Sequence, residues 1–144
     1  MLAVGLWAAQ QQGRARWALP VAFVVSLLLG GLLGFAGTQV PLLESGIAGS
    51  VLALGLLVAL AARLPLAAAL GLTALFGLSH GVAHGLELPG ATSPLTYASG
   101  FVAATALLHA GGYALARYLP LATASLVRLA GAGTAGVGLW LLAS

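Results

Sequence analysis

Long apolar runs, broken at regular intervals by proline, glycine or a charged residue, organise this chain. The runs are Trp17–Gly37, Glu44–Ala62, Leu64–Gly85, Pro94–Arg117 and Thr123–Ala143. Each is about 19 to 24 residues long, enough for a helix to cross a ~30 Å hydrocarbon core. The pattern therefore predicts five full transmembrane spans. Met1–Gln10 is also apolar, but a helix of that length reaches only about 15 Å. A surface-lying anchor would need a charged face that Met1-Leu2-Ala3-Val4-Gly5-Leu6-Trp7 lacks. The segment reads as the second half of a span whose first half is absent. The expected fold class is all-α: one polytopic transmembrane helix bundle over residues 1–144, with five full spans plus a truncated N-terminal helix.

Composition strengthens the case for lipid as the solvent. Of 144 residues 61% are hydrophobic and 5% charged, against about 25% charged in an ordinary soluble domain. Five arginines, two glutamates and no lysine could not cover a soluble surface. The net charge of +3 comes from arginines scattered singly, so no basic patch forms and nucleic-acid binding is not expected. Cysteine is absent and methionine occurs only as Met1, which removes disulfides, iron–sulfur clusters and thiolate metal sites, and disfavours a Cu(I) path. No cation precedes the first apolar run and no cleavage site follows it, so a signal peptide is not expected. With no aspartate, neither an aspartate-bearing triad nor paired catalytic aspartates can be built, and phosphate-binding glycine loops are missing. The chain does not read as an enzyme, and no resident cofactor is expected.

The arginines orient the spans. Arg14 and Arg16 lie after the first segment, Arg63 between the second and third full spans, and Arg117 before the last, with Arg128 a turn or two into it. The intervening loops, Thr38–Leu43 and Leu86–Ser93, carry no cation. This is the positive-inside alternation, and it puts the loops with Arg14/Arg16, Arg63 and Arg117 in the cytoplasm. Trp7, Trp17, Tyr113 and Tyr118 mark the same face, and Tyr97 and Trp140 the other. Gly30 and Gly34, and the ladder Gly77, Gly81, Gly85, place small residues on single helix faces where backbones can approach closely.

All three histidines fall inside apolar spans. His80 and His84 share a helix face one turn apart, and Glu87 continues the stripe at the outer end. Imidazoles at this spacing suit one divalent transition metal, and Gly81 and Gly85 would leave room for an ion or for another helix. A single membrane histidine often only hydrogen-bonds between helices. Two histidines with one of only two acids favour a metal or proton role, because polar groups in lipid are costly. His109, on the next span, lies about 12 Å from His80 in depth, too far to share an ion. It is either a deeper stop on a path or a packing residue. Glu44 opens its helix, where an acid complements the dipole; attraction of cations to a vestibule is the alternative. Ser79, with Ser45, Ser50, Ser99, Thr73 and Thr105, either lines a path or bonds helical carbonyls.

The stretch Ser79-His80-Gly81-Val82-Ala83-His84-Gly85-Leu86-Glu87 resembles the Phe-His-Gly-His-Ala-His-Gly-x-Glu signature of the HupE/UreJ membrane proteins, associated with hydrogenase and urease operons. Leu2-Ala3-Val4-Gly5-Leu6-Trp7, Glu44-Ser45-Gly46-Ile47-Ala48 and Gly100–His109 extend the resemblance over nearly the whole chain. It departs at Val82, which replaces the signature's middle histidine. The chain also starts just after the place of the family's first-helix motif, His-Pro-x-x-Gly-x-Asp-His. The resemblance implies a six-helix permease in the bacterial cytoplasmic membrane, importing nickel or cobalt for hydrogenase or urease maturation. His80, His84 and Glu87 would be its metal ligands, and His109, Glu44 and Ser79 would lie along the path. Its partners would be the lipid bilayer and the ion, with a homo-oligomer left open. Two alternatives stand beside this one: a non-transporting membrane scaffold whose histidines are interhelical contacts, and proton-coupled carriage of another small solute.

Overall fold

The computed structural model describes residues 1–87, 93–118 and 124–144. They form α1 (Leu2–Gln10), α2 (Ala15–Phe35), α3 (Leu43–Ala59), α4 (Leu66–Leu86), α5 (Pro94–Tyr118) and α6 (Ala124–Ala143). The all-α class holds. Four helices, α2, α4, α5 and α6, are long and apolar enough to cross a membrane, and α3 is a shorter apolar helix. Most of the expected outer loop Leu86–Ser93, and Thr123 at the expected start of the last span, lie outside the described residues.

Most helix boundaries shift by one to three residues from the expected ones, and the ends of α2 and α3 do so for a common reason. α3 stops at Ala59, short of Ala62, because Ala61 turns left-handed (φ 48°). Ala61 N–H then donates to Val58 O at 3.1 Å and Ala62 N–H to Leu57 O at 2.9 Å, closing a Schellman motif. α2 ends the same way at Gly37 (φ 81°), with Gly37 N–H on Gly34 O and Thr38 N–H on Leu33 O. Glycine takes that conformation without a Cβ clash, whereas Ala61 takes it against its preference. Arg16 and Arg117 lie within the terminal turns of α2 and α5 rather than in loops.

Helix association in lipid relies on close packing, since apolar tails offer no hydrophobic gain over apolar side chains. The extensive interfaces here are α2 with α4, α3 with α6, and α1 with α5, and glycine brings each pair to backbone contact. A Cβ on Gly30 or Gly81 would strike the Leu78 or Leu27 carbonyl across α2–α4. One on Gly131 would stand 2.5 Å from Ala59 N, and those on Gly5 and Gly112 would strike the His109 and Leu2 carbonyls. The space beside His80 and His84 at Gly81 and Gly85 is therefore filled by α2 and not left for an ion. Contacts advance in step along α2–α4 and α1–α5 and run in opposite order along α3–α6. Those senses are what six alternating helices require.

One end of the bundle collects the arginines. Helix α3 ends there, and its carbonyls need partners. Trp7 Nε1 donates to Ala62 O at 2.8 Å, Gln11 Nε2 to the same oxygen at 3.0 Å and Gln10 Nε2 to Val58 O at 3.1 Å. Arg128 Nε donates to Ala59 O at 2.7 Å, where a cation also complements the dipole. Arg16 Nε reaches Gln11 O at 2.9 Å, and Arg14 and Arg63 border one cleft beside them.

Candidate functional site

Helix α4 carries the histidine stripe because its small residues, Gly77, Gly81 and Gly85, face α2 and leave the larger polar groups beside that interface. At its far end from the arginines, His84 Nδ1 lies 3.9 Å from Glu87 Oε2. Adjacent ligands of one ion, with bonds of about 2.0–2.2 Å, stand about 3–3.5 Å apart, so a small side-chain shift would bring this pair onto one ion. The His84 ring is stacked on Phe101 of α5, with centroids 5.4 Å apart and planes 16° apart, and Tyr97 meets Phe101 edge-on at 5.6 Å. Glu87 sits in the turn that ends α4, where a negative charge opposes the dipole, so helix capping does not account for it.

One turn inward, His80 Nδ1 lies 2.8 Å from Phe76 O. A carbonyl only accepts, so Nδ1 carries the proton and Nε2 keeps its lone pair, the arrangement of a neutral metal-binding imidazole. The His80 ring tilts against Phe23 of α2 at 5.8 Å. His109 of α5 meets the same Phe23 ring edge-on at 5.1 Å and 82°. His109 is only 4% exposed, and among the described residues neither of its ring nitrogens has a hydrogen-bond partner. Buried polar atoms are nearly always paired, so an imidazole with two bare nitrogens calls for a reason.

The structure thus brings His84 and Glu87 together and links His80 to His109 through one phenyl ring. These two short ring-to-ring steps leave less than the ~12 Å that counting along straight helices gives. It does not bring the remaining residues to them. Glu44 is exposed in the first turn of α3 and makes no ion pair among the described residues. Ser79 Oγ donates to Leu75 O at 3.0 Å, and Ser50, Thr73 and Ser99 likewise bond carbonyls of their own helices. Among the described residues no three histidine or acidic side chains converge on one point. Val82 is 2% exposed, so a histidine there would lie in packed interior. Sequence reasoning missed Phe23 and Phe101. For Phe23 the available signal was the stripe Leu19, Phe23, Leu27, Gly30, Gly34, the buried face of α2.

The family model described as HupE / UreJ protein matches residues 1–141. Protein HupE of Rhizobium leguminosarum bv. viciae is 41% identical over 116 residues, covering 81% of this chain and 61% of that protein. The chain therefore spans less than two thirds of that relative's length. No solved structure matches it. The chain belongs to the HupE/UreJ family.

Proposed function

We propose that this HupE/UreJ member is a permease that carries Ni²⁺, or Co²⁺, inward across a bacterial cytoplasmic membrane. In this reading α3 counts as the fifth full span: its 17 residues reach about 25 Å, and the turn after Ala59 supplies the rest. The arginine-bearing end is cytoplasmic and both termini are outside. The ion is captured between Glu87 and His84, passes to His80 and leaves inward by His109. Glu44 adds negative charge at the outer face, and Ser79 lies beside the path. The metal would be supplied to hydrogenase or urease maturation. The protein acts as a transport protein and not as an enzyme.

The observation that carries the proposal is the set of three imidazoles at successive depths of the bundle, ending in a buried His109 whose nitrogens have no partner among the described residues. Neutral imidazole with carboxylate suits Ni²⁺, high in the Irving–Williams order. The test is radiolabelled nickel uptake by nickel-transport-deficient cells expressing this chain, with His84→Ala alongside. Uptake that the variant loses while still inserting in the membrane supports the permease. Equal accumulation by both counts against it.

A second reading has its own observation. His80 and His109 both pack on Phe23, so the histidines could act as interhelical contacts of a scaffold. That reading expects His80→Ala and His84→Ala to weaken the bundle without any metal-dependent phenotype.

A further inference from the structure

We propose that Phe23 is the gate of this path: its ring closes the step between His80 and His109 and must swing aside for each ion. The inference rests on the permease reading. Phe23 is fully buried and its ring packs on both imidazoles, at 5.8 Å and 5.1 Å between ring centroids, so it is the side chain that the two histidines share. A phenyl ring has no lone pair to pass an ion along, and an apolar constriction blocks hydrated ions by excluding water. It also interrupts any file of water between the two histidines, and with it a proton leak.

The backbone cannot supply the movement. The Phe23 carbonyl and Cα would lie 2.6 and 3.2 Å from a Cβ at Gly77, so α2 is seated on α4 at this level. Only the side chain is free to change rotamer. Space lies nearby on the α5 side, in a groove of about 490 Å³ that opens to the outside of the bundle and is bordered by Pro20, Val24, His109 and Tyr113. Phe23 does not border that groove at rest, and a rotated ring would reach it past His109, which touches both. His109, with both nitrogens bare, would then face an arriving ion directly. The hand-off exchanges one imidazole ligand for another, and no oxidation or reduction takes place.

The experiment reconstitutes the full chain in liposomes and follows radiolabelled Ni²⁺, radiolabelled Mn²⁺ and a trapped pH dye. It compares the parent with Phe23→Ala, Phe23→Leu, Phe23→Trp and His84→Ala. The gate predicts several-fold faster Ni²⁺ entry, a new proton leak and poorer rejection of Mn²⁺ in Phe23→Ala and, to a lesser degree, in Phe23→Leu. Phe23→Trp slows Ni²⁺ entry several-fold. Should Phe23→Ala fail to insert, the Leu and Trp variants carry the comparison. If influx depends on His84 but the Phe23 variants match the parent in all three readouts, the gate is wrong and the permease stands. A parent without His84-dependent influx overturns the permease reading and the gate together.

Discussion

An imidazole with two unpartnered nitrogens in an apolar interior costs folding free energy, about 1–3 kcal/mol for an unsatisfied polar group. If His109 is kept for transport and not for packing, removing that cost should stabilise the protein while destroying its activity. We expect His109→Leu to unfold later in denaturing detergent, by about 1–3 kcal/mol, and to take up no nickel. Unchanged uptake in this variant would remove His109 from the path. A second expectation concerns pH. Metal binds the neutral ring, so uptake should fall as outer pH drops through the histidine range, near 6.5 for an ordinary imidazole. A flat profile measured from pH 8 to about pH 5 would count against histidine ligation. At this scale the sequence was informative about charge and lone pairs, and silent about rings. His80, His84 and Glu87 announce themselves because polar groups are rare in such a chain. Phe23 carries no such mark: the stripe Leu19, Phe23, Leu27, Gly30, Gly34 places it on a packing face, and its contacts on α4 and α5 show which rings it meets.

Helix pairs are the next level, and glycine decides them. Gly81→Ala places a Cβ against the Leu27 carbonyl and 2.8 Å from Gly31 N, with rigid backbone on both sides. Overpacking of this kind typically costs about 1–3 kcal/mol or more, and we expect Gly81→Ala to lose that much in a detergent unfolding titration. Gly133 in α6 meets nothing within 4 Å, so Gly133→Ala should be neutral or stabilise by about 0.5–1 kcal/mol through helix propensity. Equal behaviour of the two variants would mean that the α2–α4 contact is not as close as described. The ladder Gly77, Gly81, Gly85 was legible as a packing face, but its partner was not, because residue spacing names a face without naming the helix opposite. The end of α3 was hidden for a different reason. Ala61 does the work that glycine does at Gly37, and alanine gives no warning of a left-handed turn.

Across the whole molecule, the proposed path runs where two glycine-locked pairs meet. α2–α4 supplies Phe23, His80 and His84; α1–α5 supplies His109 and Phe101. The third pair, α3–α6, is tied to the arginine-bearing end by Arg128, by Trp7 and Gln10 of α1 and by Gln11 just after it. Helix direction could be read from the arginines alone, and the parallel and antiparallel contacts agree with it. The pairing could not be read, since it depends on contacts between residues as distant as Gly5 and His109. Because the chain has no cysteine, its orientation can be checked directly. Single cysteines at the exposed positions Gln12 and Thr38 should react with a membrane-impermeant thiol reagent from opposite sides, Thr38 from outside intact cells. Labelling of both from one side would break the alternation. If the imidazoles of this chain alone carry the metal, nickel should enter liposomes that contain only this protein and a trapped nickel-sensitive dye. A His80→Ala protein that is still folded should admit none; influx that survives the substitution would rule out carriage by the imidazoles.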